Sequence, residues 1–413
     1  MDANDRRVTG FAMLGHAMFH TFEFAIPLFV VLWLDAFSTT TATLGLVVGA
    51  GFALTGVGAF PAGVLADIYP SKSLVVACML GMSGGFLLVA LAPSIHVLAL
   101  GLVLWGAAAS LYHPAGLALL SRAAKARGTA LAYHGAAGNV GVATGPLLGA
   151  VLLAFFHWRV VAVLLVVPVL AGALLAARLE FDETAAVDAE AAADGGRDDD
   201  ADVGSSGSTD VRQLWASTRA LVFGGFLPVF LVMVLYGLYY RGSMTFLVEI
   251  LSGLAMFDPV DVFGRSLAPS QYVYSGILLL GGLGQYTGGK LVDRIRVESA
   301  LLLTFGALVA VALAFVPATE AGVLATLVVA GLLGFFVFME APINQALIAK
   351  HAPPAVTGLS FGYTYLATFG VGALGASIAG VVLTRSGPGL LFAVVAAFGV
   401  GAIALGGYLL VRS

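Results

Sequence analysis

The segment GHAMFHTFEFAIP, residues 15–27, places His16, His20 and Glu23 at i, i+4 and i+7, one face of a helix. Imidazoles and a carboxylate in that array can pass protons, contact a polar ligand, brace neighbouring helices or hold a metal. Two histidines a turn apart with an acid nearby can ligate zinc on a helix. Nothing else in the chain suggests metal transport or catalysis, so the reading assigns no metal and no cofactor. Four more stretches carry chemistry inside apolar sequence: Tyr112 and His113; His134 and Asn139; Tyr236, Tyr240, Arg241 and Glu249; Glu340, Asn344 and Gln345. Arg241 is the one basic residue well inside such a stretch. A guanidinium stays charged when buried, and its planar fork suits a carboxylate or phosphate. It could anchor an anionic substrate group beside Tyr240 and Tyr236, pair permanently with Glu23, Glu249 or Glu340, or reach toward a headgroup. Glu23, assisted by His16 and His20, is the group expected to carry the proton, with Glu249 and Glu340 as further candidates for proton coupling. Tyr112, His113, His134, Asn139, Asn344 and Gln345 join Arg241 as candidates for substrate contact.

The elements that must position these groups are membrane helices. The chain has 413 residues, of which 60% are hydrophobic and only 10% charged. Ordinary soluble domains carry roughly 25% charged residues, and a run of about 20 apolar residues suffices to cross a bilayer core. Twelve such runs are read at about 10–34, 43–66, 74–93, 96–120, 129–156, 160–178, 220–250, 271–289, 299–317, 321–349, 356–384 and 389–411. Barrel strands would be short and alternating instead. The expected fold is an all-α membrane protein of two six-helix bundles, residues 1–178 and 219–413. Between them, residues 179–218 are acidic and rich in Ala, Gly and Ser, which reads as a solvated linker. The opening MDANDRRVTG lacks a cleavable signal pattern. Cys78 is the only cysteine, so no intrachain disulfide is possible.

Basic residues set the expected orientation. With the N-terminus cytoplasmic, Arg6, Arg7, Lys72, Arg122, Lys125, Arg127, Arg178, Arg197, Arg212, Arg219, Lys290, Arg294, Arg296, Lys350 and Arg412 all fall inside. The outside loops keep only Arg159, Arg265 and Arg385. Both termini are therefore expected in the cytoplasm, and the membrane is expected to be the cytoplasmic one.

The halves repeat one another. GVLADIYPSKS after the second span matches GKLVDRIRVES after the eighth, aligning Gly63 and Asp67 with Gly289 and Asp293. Glu23 aligns with Glu249, Pro114 of LYHPAGLAL with Pro342 of MEAPINQAL, and Gly128 and Gly145 with Gly358 and Gly375. Parallel six-span repeats are a transporter architecture. The polar residues above concentrate in spans 1, 4, 7 and 10, whereas spans 3, 6, 9 and 12 are almost purely apolar. Ionisable groups in lipid cost several kcal/mol unless they face a cavity or a partner, so the first set is expected to line something wet.

On these residues the chain resembles the major facilitator superfamily. The loop Gly63-x-Leu65-Ala66-Asp67-x-x-Pro70-x-Lys72 is similar to that family's signature between spans 2 and 3, although Ile68 stands where Arg is usual. LYHPAG and GAAGNVGVATGPLLGA make the first half most similar to the fosmidomycin-resistance-type efflux group, with Ala115 where an acid often follows His-Pro. The resemblance implies a central cavity among spans 1, 4, 7 and 10. It also implies a conformational latch built from Gly63, Asp67, Lys72, Gly289, Asp293 and Arg294, and a close-packing span 5 motif at Gly141, Gly145, Pro146 and Gly149. That motif is partial, since Ala132 and Ala150 replace glycines. The function expected is secondary transport of a small polar or anionic molecule by alternating access. Proton-coupled efflux of a drug or metabolite, by antiport, is preferred to import of an organic anion or sugar, and to a transport-inactive sensor. No P-loop, Gly-x-Ser-x-Gly or Cys/His metal spacing supports an enzyme. The expected partners are a small-molecule substrate, protons and lipid, with no nucleic acid and a monomeric chain.

Overall fold

The structure is a computed structural model describing residues 1–194, 225–352 and 357–412. It is almost wholly helical, because backbone polar groups in a bilayer must be satisfied within the segment. Spans 1 to 6 are Ala3–Ala36, Thr41–Ile68, Ser71–Leu91, Ile95–Ala123, Arg127–Leu153 and Trp158–Arg178. Spans 7 and 9 to 12 are Leu227–Ser252, Val297–Ala321, Val323–His351, Gly362–Arg385 and Pro388–Arg412. Those 11 helices are long and apolar enough to cross a membrane. Span 8, Pro269–Val292, has the length as well, and is less apolar because it carries Gln271, Gln285, Tyr286 and Lys290.

Spans 2, 4, 7 and 11 are interrupted. Span 2 turns at Gly58, and span 4 breaks between Ala109 and Tyr112. Pro114 explains the second break: it has no N–H to give the carbonyl of Ser110. Span 7 breaks after Met244 and resumes at Leu247. Span 11 passes through a π-helical turn at Leu366–Val371. The symmetric Pro342 leaves span 10 as one continuous helix, so the two halves differ here. A two-stranded hairpin, Val260–Val262 with Arg265–Leu267, interrupts the helical pattern between spans 7 and 8.

The halves meet closely at the end away from the termini. Thr41 Oγ1 donates to the carbonyl of Gly380 at 2.9 Å and shares a 2.7 Å hydrogen bond with Thr384 Oγ1. Ser377 Oγ donates to the carbonyl of Gly45 at 3.1 Å. Gly45 and Gly49 allow this approach: an added Cβ would lie 2.6 Å from the Ala376 carbonyl at the first and 2.7 Å from Ser377 Oγ at the second. At the end that carries the termini, a Cβ added to Gly63, Gly128 or Gly289 would meet nothing within 4 Å.

The start of the expected linker is not a free tether. Asn4 Nδ2 donates to the carbonyl of Asp182, whose own N–H donates back to Asn4 Oδ1. Glu183 accepts the N–H groups of Ser71 at 2.8 Å and Lys72 at 3.4 Å, capping span 3. A helix follows at Ala185–Asp194. The rest of the linker, with Arg197 and Arg212, then Arg219 and the start expected for span 7, lie outside the described residues.

Candidate functional site

Glu23 and Arg241 form the centre. The carboxylate sits midway along span 1 and the guanidinium on span 7, each 4% exposed, with Arg241 Nη2 donating to Glu23 Oε1 at 2.5 Å. The pair crosses from one half to the other. Of the three acids that could have neutralised Arg241, span packing selects Glu23. The guanidinium also lies 3.7 Å above the Phe52 ring and 4.8 Å from that of Tyr240. Aromatic faces stabilise a desolvated cation by about 2 kcal/mol. Its Nε has no hydrogen-bond partner among the described residues.

From Glu23 a chain of polar contacts runs along span 1. Glu23 Oε2 lies 2.8 Å from His20 Nδ1, and His20 Nε2 lies 3.1 Å from His16 Nε2. His16 Nδ1 faces the backbone carbonyl of His134 at 2.8 Å, so that nitrogen carries the hydrogen. The His16 and His134 rings stack at 4.0 Å. His134 Nε2 is 3.0 Å from Tyr112 Oη, which also donates to the carbonyl of Ala12. Tyr112 is thus a fully buried tie between spans 4, 5 and 1. His113, beside it, packs edge-on against His16 at 5.2 Å.

Span 5 seats this face of span 1. Gly141 and Gly145 approach the backbone of Ala17 and Thr21, and Gly149 meets the Leu28 side chain. The stripe extends one turn earlier than the sequence motif. A Cβ on Gly138 would lie 2.5 Å from His16 Cε1, so Gly138 is needed for the imidazole to fit. Its spacing from Gly141, close to one helical turn, is the signal that could have found it. Phe52 had none beyond its place in span 2. Asn139 is half-buried on the same helix, next to Gly138.

In span 10, Glu340 and Asn344 lie one turn apart and are buried. Neither oxygen of Glu340 and neither polar side-chain atom of Asn344 has a hydrogen-bond partner among the described residues. Tyr236 Oη donates to the carbonyl of Val337 at 3.1 Å, and the Tyr236 and Tyr240 rings stack at 6.1 Å.

Other expected residues lie elsewhere. Gln345 is on the exposed face of span 10, one residue round the helix from Asn344. Glu249, the repeat partner of Glu23, lies past the break in span 7 and lines a separate cavity of about 320 Å³ with Thr41 and Phe315. It stands near the end of span 7, two turns beyond Arg241 and away from the centre. Asp67, Asp293 and Arg294 are exposed, and neither carboxylate has a hydrogen bond or ion pair among the described residues. Lys72 instead donates to the carbonyl of Leu179 at 2.6 Å. One charge cluster has no counterpart among the expected residues: fully buried Glu298 accepts from Lys350 Nζ at 2.6 Å and lies 2.9 Å from His351 Nε2, tying span 9 to span 10.

A small cavity of about 20 Å³, room for one water, opens where the breaks of spans 2, 4 and 11 meet. His20, Glu23, Ser110, His113, Tyr365 and Phe369 are among its walls.

Comparison with known proteins agrees with this architecture. No curated protein matches the chain. A bacterial homologue of the human lysosomal transporter Spinster, in an inward-facing and unoccupied conformation, superposes with a TM-score of 0.69 at 15% identity, covering 100% of this chain and 96% of that one. The nucleoside transporter NupG superposes with a TM-score of 0.74 at 14% identity, covering 97% and 98%. Likeness at that identity concerns the fold. Residues 12–376 match the family described as Major Facilitator Superfamily, and the chain belongs to that family of multi-pass membrane transporters.

Proposed function

We propose that this chain is a secondary active transporter that exports a small polar or anionic organic molecule across the cytoplasmic membrane in exchange for protons. The observation that carries this reading is the Glu23–Arg241 pair, set between halves that are held together at one end by Thr41, Thr384 and Ser377. With both termini cytoplasmic, the seam at Thr41 and Thr384 faces outward, and the end with open space beside Gly63 and Gly289 faces inward. Closing the inward end and opening the seam requires the halves to rock about their middle, where the ion pair lies. Asp67 and Asp293 would then find partners in the opposite state.

The two central acids take different parts. Glu23 is already committed to Arg241, which makes it a clasp between halves. Glu340 has neither oxygen partnered among the described residues. A carboxylate so buried is stable only with a proton or a cation on it, so Glu340 is the proton carrier in this reading. Arg241 has a spare donor at Nε, and an anionic group on the substrate would compete with Glu23 for its fork. Tyr240 lies against the Arg241 guanidinium, and Tyr236, stacked on Tyr240, donates to the carbonyl of Val337 in the span that carries Glu340.

The likeness of the first half to the fosmidomycin-resistance-type efflux group makes fosmidomycin the first compound to try. Protein in liposomes under an imposed pH gradient should move a transported compound against its own gradient. Glu340→Gln should bind that compound yet lose gradient-driven accumulation. Undiminished accumulation in Glu340→Gln would remove Glu340 from the coupling, and a pH gradient without effect on wild-type flux would remove protons altogether.

A further inference from the structure

His16, His20 and His113 come from two helices and converge. One nitrogen of each ring lies within 4.8 Å of one nitrogen of each of the others. The first two share a turn of span 1, and the fold brings in the third from the break in span 4. We propose that these three imidazoles form a binding site for one borderline divalent transition-metal ion, with Zn2+ as the representative case.

Three observations support the site independently of the residue types. The first is the outer shell. Metal-ligating histidines almost always give their second ring N–H to a carbonyl or carboxylate, which fixes the tautomer and aims the other nitrogen. His16 Nδ1 is held by the carbonyl of His134 at 2.8 Å, and His20 Nδ1 by the carboxylate of Glu23 at 2.8 Å. Both rings are thereby oriented with Nε2 inward, and Glu23 is itself held by Arg241.

The second is the gap between those inward atoms. The two Nε2 atoms lie 3.1 Å apart. With both Nδ1 atoms acting as donors to their oxygens, neutral rings bring two lone pairs face to face. An electrophile between them resolves the conflict. Two nitrogens on a tetrahedral zinc at ~2.0–2.1 Å lie about 3.3–3.4 Å apart, so the pair needs to open by only a few tenths of an ångström.

The third is access. The 20 Å³ cavity, with room for one water, is walled by His20 and His113 but not by His16, so open space adjoins two of the three imidazoles. Three imidazoles with an open fourth position suit Zn2+, Cu2+, Ni2+ or Co2+ and do not suit Mg2+ or Ca2+, which require oxygen ligands. Tyr365 of span 11 packs 5.5 Å from the His113 ring, closing the site from the other half. A metal there would bind spans 1 and 4 together directly beside the Glu23–Arg241 clasp.

The test uses the full chain, purified in detergent with an affinity tag that contains no histidine. Titration with Zn2+ alone should saturate at one ion per chain. X-ray absorption of the zinc-loaded protein should show nitrogen neighbours at ~2.0 Å, and Co2+ should give the visible absorption of a tetrahedral site. His113→Phe keeps an aromatic ring in the packing and should weaken binding by at least about tenfold with an unchanged melting temperature. His16→Ala should do the same or worse. The double variant His96→Ala/His157→Ala, both exposed and remote, should bind like wild type. Absence of saturable Zn2+ binding by the wild type would overturn the site and leave a shared proton as the occupant of the gap. So would binding that survives His113→Phe, or binding lost only when His96 and His157 are replaced. The absorption spectra need no variant, so a misfolded substitution cannot rescue the idea.

Discussion

Glu23 and Arg241 stand 218 positions apart in the chain and meet at 2.5 Å across the boundary between its two six-helix halves. Both are buried, so each charge depends on the other. Removing one partner of a buried pair costs about 3–5 kcal/mol, because the survivor is left uncompensated. Glu23→Gln and Arg241→Met should each lower the melting temperature in detergent markedly. The double variant should recover much of the loss, since it leaves no lone charge. Losses that simply add in the double variant would show that the two groups do not act as a pair.

The uneven seam between the halves gives a cross-linking prediction. With Cys78 replaced by alanine, the pair Thr41→Cys/Thr384→Cys should oxidise readily to a disulfide, because those side chains already touch at 2.7 Å. Asp67→Cys/Asp293→Cys should not cross-link in the same state. Gel mobility before and after a mild oxidant reads the outcome. Equal cross-linking at both ends would contradict an arrangement closed at one end.

The stripe of small residues on span 5 should tolerate no enlargement. Gly138→Val would press on the His16 ring and Gly141→Val on the Ala17 backbone, each costing about 1–3 kcal/mol of overpacking. Gly63→Ala and Gly289→Ala meet nothing within 4 Å and should leave the stability within about 0.5 kcal/mol of wild type. Thermal unfolding in detergent compares the four variants. Similar effects at all four sites would undo the distinction.

Outside the membrane, Asp182 should make the docked segment sensitive to acid. The backbone N–H and the hydroxyl of Thr184 hydrogen-bond its carboxylate and hold its pKa below the ordinary 3.8. A group lowered in the folded state stabilises above its unfolded pKa, and that contribution fades as pH falls from about 4 through the folded value. Protection against hydrogen exchange across residues 180–189, taken relative to the intrinsic rate at each pH, should therefore fall below about pH 4 and stay flat from about pH 5 to 8. Asp182→Asn should remove most of that dependence.

Much of the architecture is legible in the residues themselves. A bilayer permits few backbone arrangements, so apolar runs, basic loops and the repeat that aligns Asp67 with Asp293 mark out the spans and halves. Most polar residues of spans 1, 4, 7 and 10 mark the interior, because a polar group in lipid needs a cavity or a partner, while Gln345 and Glu249 lie away from it. Which acid meets Arg241 is not legible, since Glu23 and Glu340 both lie well inside apolar spans and Glu249, near the end of its own, is the repeat partner of Glu23. In the structure Glu249 stands away from the centre, and the rotation of span 10 leaves Glu340 without a partner among the described residues. Pro114 signals a disturbance in span 4, and the freed carbonyl of Ser110 places it one turn upstream. Glu183 escapes a sequence reading because a charged residue in an acidic stretch reads as solvated. Its partners are two backbone N–H groups of span 3, which no side-chain pattern reveals.

If the halves rock about the Glu23–Arg241 pair, paired spin labels at the two ends will record it. One pair, at Thr41 and Thr384, reports the closed end; another, at Asp67 and Asp293, reports the opposite end. In protein reconstituted in lipid, changing pH or adding a transported compound should lengthen the first distance as it shortens the second. Distances that stay fixed at both ends, or that change in the same direction, would contradict the account.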